Sequence, residues 1–524
     1  MTAEPSSADN TVEDVPLSVP VMKKDPWRFF VAAVFCLLSV SNAMQWITFA
    51  AIFDETREYF SMTAVQVNYL ATTYVIAYVV AVFLSCKLFE VTGLKIGIFI
   101  AASANVIGAS FKLLALYAWP NMALLYVAQV FNSITEILTI ATPPLVANRW
   151  FPANERVVAS TVMCIALNVG CGLGALLPVF FVTPEKKEKR HFGALFWFQF
   201  SLCALSFALT FLIPPRPRYS PSYAADRQEK MDERRLKVLR DRRNTEAGVG
   251  KESFQQQGHC ASSSEEPYDG YEDIVSEPTN IFSTLVDTFH ALRANPSFGF
   301  LAIASAAELG LIWSIATVLP QCLLPFGVLE SETGWISFLN LVLGGVIAPV
   351  VMHYVGHKCK HRRALLIISV ILVLNVTALC LLFHFGPAGN ENRKYFVITA
   401  FVLWGGVAGL CQNFMLPIMF EFVVELTFPL RESTSAPVLT WTACLSNLIL
   451  TIIFGEVLGN DPSRGDAMKV FLGTAVTCVI GFIALLLTRS ASRREKFEAQ
   501  MNDRYRALTH SARVEPAPPI ASTA

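Results

Sequence analysis

Two tryptophans lie deep inside apolar stretches of this sequence, where their ring faces are available for chemistry. Trp46 lies in SNAMQWITFA and Trp313 lies in GLIWSIA. Asn42 is four residues before Trp46, so the two share one helix face, while Gln45 faces elsewhere. A lone tryptophan in such a run more often anchors a helix at a membrane surface. Two indole faces across a cavity would instead hold a quaternary ammonium ion by cation–π attraction, at roughly 0.5–2 kcal/mol per ring.

Two carboxylates, Glu136 and Glu308, also lie in the middle of apolar runs. An ionised group at that depth is costly, so it normally faces a cavity and takes part in function. Glu136 could balance the charge of a cation or accept a proton, and the alternative is a structural pairing with Lys112. Glu308 lies five residues before Trp313. We therefore treat both acids as candidate binding groups.

A second pair of acids, Glu421 and Glu425, lies four residues apart near the end of another apolar run. This position is more typical of residues that brace a loop than of residues that bind a substrate. Arg431 and His357 are the candidate partners for this bracing.

One group of residues has the chemistry to bind haem iron or a metal ion: His353, His357, Cys359 and His361. His353 and His357 can share a helix face, a spacing that suits a metal. The same residues overlap the basic stretch HKCKHRR, which is typical of a loop on the cytosolic side of a membrane. Contact with haem is therefore the weaker interpretation of this group.

The elements that position these residues follow from the composition. Of the 524 residues, 53% are hydrophobic and 16% are charged, and the mean hydropathy is +0.47. A soluble protein carries about a quarter charged residues. Apolar runs of the roughly 20 residues needed to cross a bilayer recur along the whole chain. Most cysteines, including Cys36 and Cys164, lie in these runs and act there as small apolar residues. The composition predicts an all-α polytopic membrane protein.

Run length predicts twelve transmembrane helices in two groups of six. They lie near 28–53, 66–89, 94–116, 120–148, 157–183 and 192–214, and near 297–324, 333–355, 364–386, 394–425, 434–459 and 467–489. The chain is thus organised as a tail (1–26), a first half (27–214), a central loop (215–295), a second half (296–489) and a second tail (490–524). The loop segment SSSEEPYDGYED has a composition typical of disorder.

Orientation follows from the basic residues, which collect on the cytosolic side of membrane proteins. They cluster before the first span, in the central loop, in HKCKHRR and after the last span. All of these lie on one side if both termini are cytosolic, whereas EKKEKRH (185–191) is an exception. We expect an integral membrane protein with cytosolic termini, in the plasma membrane or, as the alternative, in an organelle membrane.

The two halves share a loop motif, Phe-Pro-x-x-Glu, which follows the fourth and the tenth span. The first copy, RWFPANE, carries Arg149 and Glu155, and the second, FPLRE, carries Arg431 and Glu432. Pseudo-symmetric halves are typical of secondary transporters, which bind substrate near the bilayer midplane. We therefore interpret these loop residues as gating or structural groups.

The turn between the second and third spans, EVTGLKI, carries Glu90, Gly93 and Lys95. It is a weak form of the acidic-x-x-Gly-x-basic turn that is common in major facilitator transporters. The second half has only a basic counterpart, GHKCKHRR. We assign these three residues to the same gating or structural group.

Five segments together resemble the feline leukaemia virus subgroup C receptor-related transporters: SNAMQWI, EVTGLK, VANRWFPANE, MLPIMFEFVVELTFP and ESTSA. The similarity runs from about Ser41 to Leu458, apart from the central loop. The resemblance implies a major facilitator fold with twelve transmembrane helices in two pseudo-symmetric six-helix halves. It also implies a substrate of the family's type, which is choline, ethanolamine or haem.

The resemblance further implies where a substrate binds. The family's tryptophan on the first span corresponds to Trp46, and its tyrosine on the seventh span is replaced by Trp313. A glutamine on the fifth span is replaced by Asn168. A glutamine on the eleventh span is replaced by Cys444, which has no amide, although Asn447 lies one turn further on. The aromatic walls are kept and the polar groups differ.

The function expected from these features is alternating-access transport of a small organic cation such as choline or ethanolamine. Haem transport on the same fold is the alternative, and a receptor or scaffold without transport is a weaker one. No phosphate-binding glycine loop, nucleophile elbow or ATP-binding domain is recognisable, so we do not expect an enzyme. We expect a small-molecule substrate and the lipid bilayer as partners, and no nucleic acid, cofactor or bound metal.

Overall fold

The computed structural model describes the membrane-embedded part of the chain and the helix that follows it. The described residues are 22–118, 121–182, 189–230, 293, 295–328, 330–358, 361–386, 393–428, 432–459, 462–489 and 492–514. The segment SSSEEPYDGYED and most of the basic part of the central loop lie outside these residues.

The described chain is helical in both halves. The helices of the first half are Trp27–Ala51, Phe53–Tyr59, Ala64–Tyr117, Met122–Thr139, Pro143–Trp150, Arg156–Phe181 and Lys189–Thr210. Those of the second half are Pro296–Ser305, Leu311–Leu323, Glu330–Lys358, His361–His384, Arg393–Ala400, Gly409–Thr427, Glu432–Leu458 and Arg464–Leu487. Two π-helical stretches, Ala306–Gly310 and Phe401–Ala408, and a short 3₁₀ turn, Leu324–Phe326, complete the second half. A terminal helix, Arg493–Val514, follows.

Twelve stretches of the described chain are long and apolar enough to cross a membrane. We number them spans 1 to 12: Trp27–Ala51, Tyr69–Phe89, Val91–Tyr117, Met122–Thr139, Arg156–Pro178, His191–Thr210, Pro296–Phe326, Glu332–Val351, His361–His384, Arg393–Thr427, Thr434–Leu458 and Arg464–Leu487. The prediction of twelve transmembrane helices is confirmed. Span 4 ends earlier than predicted because the chain turns at Ile140–Thr142 before the short helix Pro143–Trp150.

Spans 2 and 3 form one helical run that bends at Gly93. Gly93 has a φ of +77°, in the region that side chains with a Cβ atom rarely adopt. The turn predicted from EVTGLKI is therefore made by a glycine conformation. Lys95 lies beside it, half-buried, and the side chain of Glu90 lies outside the described part of the structure.

Replacing Gly93 by alanine is expected to lower the melting temperature of the purified protein, because an alanine with positive φ and extended ψ costs about 1–3 kcal/mol. No atom lies within 4 Å of a Cβ added at Gly93, so backbone strain and not a clash is tested. Gly334→Ala is the matched control, since Gly334 is helical and equally open. Thermal unfolding in detergent makes the comparison, and equal melting temperatures for the two variants would contradict the expectation.

Span 5 packs between span 1 and span 8 through its glycines. A Cβ atom added to Gly170 would lie 2.7 Å from the Val40 carbonyl oxygen, and one added to Gly174 would lie 2.6 Å from that of Met44. These distances are too short for a side chain, so the two backbones touch. Close packing of this kind places span 5 directly beside the turn of span 1 that carries Trp46.

The two halves pack against each other through a shared core. A single buried cluster joins Tyr78, Phe83 and Cys164 of the first half to the core of the second half. At one end of the bundle the N-terminal tail, the segment 222–230 and the terminal helix meet, and we call this end the tail face. The halves are closed against each other there, because the terminal helix is bound to both.

Ion pairs across the terminal helix reinforce this closure, and we call the group the tail clamp. Arg156, at the start of span 5, lies 3.2 Å from Glu498 of the terminal helix. Arg494, from the same helix, lies 2.8 Å from Glu421 and 2.9 Å from Glu425 of span 10. Glu421 and Glu425 thus have a bracing role in the structure, but their described partner is Arg494. Arg431 and the side chain of His357 lie outside the described part of the structure.

Candidate substrate site

The ring face of Trp46 on span 1 is available for contacts, whereas its indole nitrogen is already hydrogen-bonded. The indole nitrogen donates a hydrogen bond to the Ala71 carbonyl oxygen of span 2, at 3.1 Å. The Trp46 ring lies 6.3 Å from the ring of Tyr74, at an interplanar angle of 46°. Because its only donor is satisfied and the side chain is half-buried, the indole is free to act through its π face.

Asn42 and Gln45 lie in a buried polar network inside the first half. Asn42 donates to the Asn132 carbonyl oxygen at 2.8 Å, and Gln45 donates to the Asn105 side chain at 2.9 Å. Asn132 in turn donates to the Gln45 amide oxygen at 3.2 Å. Asn42 was expected beside Trp46, whereas the structure groups it with Gln45. Buried amides must find hydrogen-bond partners, and those partners lie on spans 3 and 4.

Lys112 of span 3 borders the same network and does not neutralise Glu136. Its ammonium group is buried, donates to the Gln45 carbonyl oxygen at 3.3 Å and lies 5.0 Å from the centre of the Phe49 ring. No ion pair between Lys112 and Glu136 is present among the described residues. The structural pairing considered for Glu136 is therefore not formed here.

Glu136 of span 4 lies where the two halves meet. Its carboxyl group is within electrostatic range of Tyr74, Tyr78 and Cys171, and of Cys444 on span 11. The Glu136 Oε2 atom is buried and has no hydrogen-bond partner within the described chain, whereas the Tyr74 and Tyr78 hydroxyls lie near Asn132 and Thr440. A buried carboxyl oxygen without a partner, beside two tyrosine hydroxyls, marks a place where a polar ligand can bind.

Span 11 contributes Cys444 and an aromatic residue that the sequence did not single out, Trp441. The Trp441 indole nitrogen donates to the Val79 carbonyl oxygen at 3.0 Å, and its ring lies 5.6 Å from that of Phe83. Trp46 and Trp441 thus both dock on span 2 through a backbone carbonyl. Only the packing of span 11 against span 2 shows this, because nothing in the local sequence links the two.

Asn168 of span 5 bridges the halves. Its amide nitrogen donates to the Asn413 side-chain oxygen of span 10 at 2.8 Å. Asn413 also donates to the Gly409 carbonyl oxygen of its own helix at 2.9 Å. Asn413 was missed by the sequence reasoning, since an asparagine after GLCQ carries no motif. The pair places a polar contact in the middle of the interface between the halves.

Trp313 and Glu308 both lie on span 7, but their side chains have different neighbours. Trp313 is half-buried and packs against the core that joins the halves. Glu308 is fully buried and accepts a hydrogen bond from Ser369 of span 9. In the described structure no ring contact joins Trp313 to Trp46, and Tyr74 is the aromatic neighbour of Trp46.

The loop residues interpreted as gating groups lie at the tail face. Glu155 pairs with Lys24 at 2.7 Å and with Arg28 at 3.0 Å, and Arg149 lies 3.8 Å from Glu229. Arg431 and the side chain of Glu432 lie outside the described part of the structure. The first copy of the repeated motif therefore ties the N-terminal tail and the segment 222–230 to the membrane helices.

The histidine group does not form a described metal site. The side chains of His353 and His357, and Cys359, lie outside the described part of the structure. His361 is the one described member, and no group of three metal-binding side chains occurs among the described residues.

Known proteins resemble this chain in sequence over nearly its full length. The choline/ethanolamine transporter FLVCR1 of Mus musculus is 24% identical over 533 residues, covering 97% of this chain and 84% of that protein. The choline/ethanolamine transporter FLVCR2 of Homo sapiens is 22% identical over 497 residues, covering 93% and 83%. The resemblance inferred from the five sequence segments is confirmed.

Solved structures show the same fold. A double tryptophan variant of XylE superposes with a TM-score of 0.62 at 12% identity, covering 91% of this chain and 100% of that chain. FucP, solved in an outward conformation, superposes with a TM-score of 0.58 at 12% identity, covering 88% and 100%. The family model of the Major Facilitator Superfamily matches residues 35–423, well over half of the sequence. Twelve spans in two halves, this shared fold and the family match together show that the chain is a multi-pass membrane protein that belongs to the Major Facilitator Superfamily.

Proposed function

We propose that this protein transports a small organic cation, choline or ethanolamine, by alternating access of its two halves. The observation that carries the proposal is the group formed by the Trp46 ring, Tyr74 and the unpaired carboxyl group of Glu136. The sequence relatives named as choline/ethanolamine transporters support the same substrate class.

The chemistry of the group suits an ammonium ion. The Trp46 face can attract a quaternary ammonium by roughly 0.5–2 kcal/mol, and by more where water is excluded. A carboxyl group buried without a cation is costly in its charged form, and an arriving substrate cation would compensate that charge. The same site can hold ethanolamine, because its primary ammonium can donate to Glu136 and to the Tyr74 and Tyr78 hydroxyls.

Transport by alternating access requires contacts between the two halves to break. In the described state the halves are joined by the Asn168–Asn413 hydrogen bond and closed at the tail face by the tail clamp. Opening towards the tail face requires both to separate. We place the tail face in the cytosol, which the basic residues Lys23, Lys24 and Arg493 support.

Uptake of labelled choline and ethanolamine into proteoliposomes that contain the full chain tests the proposal. We expect saturable uptake that tetramethylammonium inhibits, because a quaternary ammonium without a hydroxyl group still binds an aromatic face. Haem transport is assayed in parallel. Uptake of haem without uptake of either amine would support the haem alternative, and transport of none of the three would favour a receptor or scaffold.

A further inference from the structure

Glu308 is a buried acid that the proposed substrate site does not use. It lies in the π-helical stretch Ala306–Gly310 of span 7 and has no exposed surface. Ser369 of span 9 donates its hydroxyl to one carboxyl oxygen, Oε1. A Cβ atom added to Gly481 of span 12 would lie 2.6 Å from the Glu308 Cγ atom. The carboxyl group is therefore packed against spans 9 and 12 of its own half.

The groups around this carboxyl carry no compensating charge. The titratable neighbours are Cys411 on span 10 and Cys478 on span 12, both buried thiols. Span 9 contributes the hydroxyl of Ser369, and span 11 packs against Gly310 through its backbone at Ala443. No lysine, arginine or histidine pairs with Glu308 in the described structure. Its second oxygen, Oε2, is buried there without a hydrogen-bond partner.

The ionised form of a carboxyl group is strongly disfavoured in such a site. Moving an ion out of water into a protein interior costs several kcal/mol even after relaxation, and one hydroxyl donor does not offset that cost. The carboxylic acid form has no charge to solvate, and leaving its O–H group without an acceptor costs less than burying the ion. The packing of spans 7, 9 and 12 therefore selects the protonated form.

We propose that Glu308 is a proton-binding site, occupied when spans 7, 9 and 12 are packed as described and emptied when water reaches span 7. The proton is taken from water and returned to water, and no other reactant is needed. The π-helical turn supports this, since such turns mark places where a helix is locally rearranged, often for function. Because span 7 also carries Trp313, which packs against the core that joins the halves, protonation of Glu308 stabilises one arrangement of that helix.

The sign of the pH effect follows from this linkage. A state that holds the proton on Glu308 is favoured at low pH over any state in which Glu308 is hydrated and ionised. The packed arrangement is therefore expected to lose stability as pH rises. This holds whichever substrate the protein carries, so it is tested without a transport assay.

The test is the melting temperature of the full chain in detergent, measured between about pH 5 and pH 8.5, for wild type, Glu308→Gln and Ser369→Ala. Glutamine has the shape of the protonated acid and does not titrate, so its curve is expected to be flatter than that of wild type by several degrees at the alkaline end. Ser369→Ala removes the donor and keeps the acid, so it retains the pH dependence. Equal slopes for wild type and Glu308→Gln would overturn the proposal.

Infrared spectroscopy gives a second test that does not depend on the folding of the glutamine variant. A protonated carboxyl group has a carbonyl band that a carboxylate lacks, and its frequency rises when a hydrogen bond to its oxygen is lost. We expect such a band in the wild-type protein at neutral pH, and a higher frequency in Ser369→Ala. A spectrum in which no carboxylic acid band responds to Ser369→Ala would contradict the assignment.

Discussion

Replacing Trp46 by alanine is expected to reduce choline uptake at low substrate concentration by about tenfold or more. One cation–π contact with tryptophan is worth up to about 2 kcal/mol in a dry site, and each 1.4 kcal/mol corresponds to about a tenfold change in affinity. The loss is expected mainly in KM, because the ring attracts the bound cation throughout the cycle. Initial rates of labelled choline uptake over a range of concentrations measure it.

Two further variants help to interpret the result for Trp46→Ala. Trp46→Phe keeps a smaller and weaker aromatic face and loses the hydrogen bond to the Ala71 carbonyl oxygen, so it is expected to retain more uptake than alanine but less than wild type. Trp335→Ala is the matched control, because Trp335 belongs to span 8, is 56% exposed and has Phe338 of its own span as its described aromatic neighbour. If Trp46→Ala transports as well as Trp335→Ala, the ring of Trp46 does not bind substrate.

Replacing Arg494 by alanine is expected to open the tail face and to shift the resting protein away from the described state. Arg494 is the described partner of two buried carboxylates, Glu421 and Glu425. Removing one partner of a buried ion pair typically costs about 3–5 kcal/mol, because the other charge remains buried and unpaired. A shift of this size changes the ratio of open to closed states by more than about a hundredfold.

Distances between spin labels measure this opening. Ala153 of the first half and Arg363 of the second half are exposed near the tail face, and the described cysteines are buried or half-buried. A longer distance between labels at these two positions is expected in Arg494→Ala than in the unchanged background. An unaltered distance distribution would show that Arg494 does not hold the halves together.

A charge-neutral variant separates the tail clamp from general destabilisation. Combining Arg494→Met with Glu421→Gln and Glu425→Gln removes the buried charges together and leaves groups of similar size. Such replacements are often neutral or stabilising for the fold. We expect the melting temperature to recover while the labels still report a more open tail face, since the bond between the terminal helix and span 10 is absent.

We expect the terminal helix to take part in the proposed transport cycle, because it contacts both halves. Glu498 accepts hydrogen bonds from the backbone N–H groups of Tyr223 and Ala224, and it also pairs with Arg156. One helix therefore contacts the start of span 5, the segment 222–230 and span 10. In the proposed alternating-access cycle we expect this helix to release at least one of these contacts.

The sequence determined the features that depend on local composition and on the length of apolar runs. Twelve spans and the glycine turn at Gly93 follow from residue types and their spacing. The polar and aromatic character of a central site followed too, because a residue such as Trp46 or Glu136 is conspicuous in an apolar run. The family resemblance added the substrate class, as an expectation.

Tertiary structure decided which side chains meet. The structure places Asn42 and Gln45 in one hydrogen-bond network with spans 3 and 4. It also places the ring of Tyr74 beside the ring of Trp46. Glu421 and Glu425 form ion pairs with Arg494, which belongs to a tail that the sequence identified only as basic. Helix periodicity gives the face of a residue on its own helix, whereas its partners depend on the rotation and packing of other helices. That packing is a property of the whole bundle, and it placed Glu136 near Cys444 of the other half but Glu308 against spans 9 and 12 of its own half.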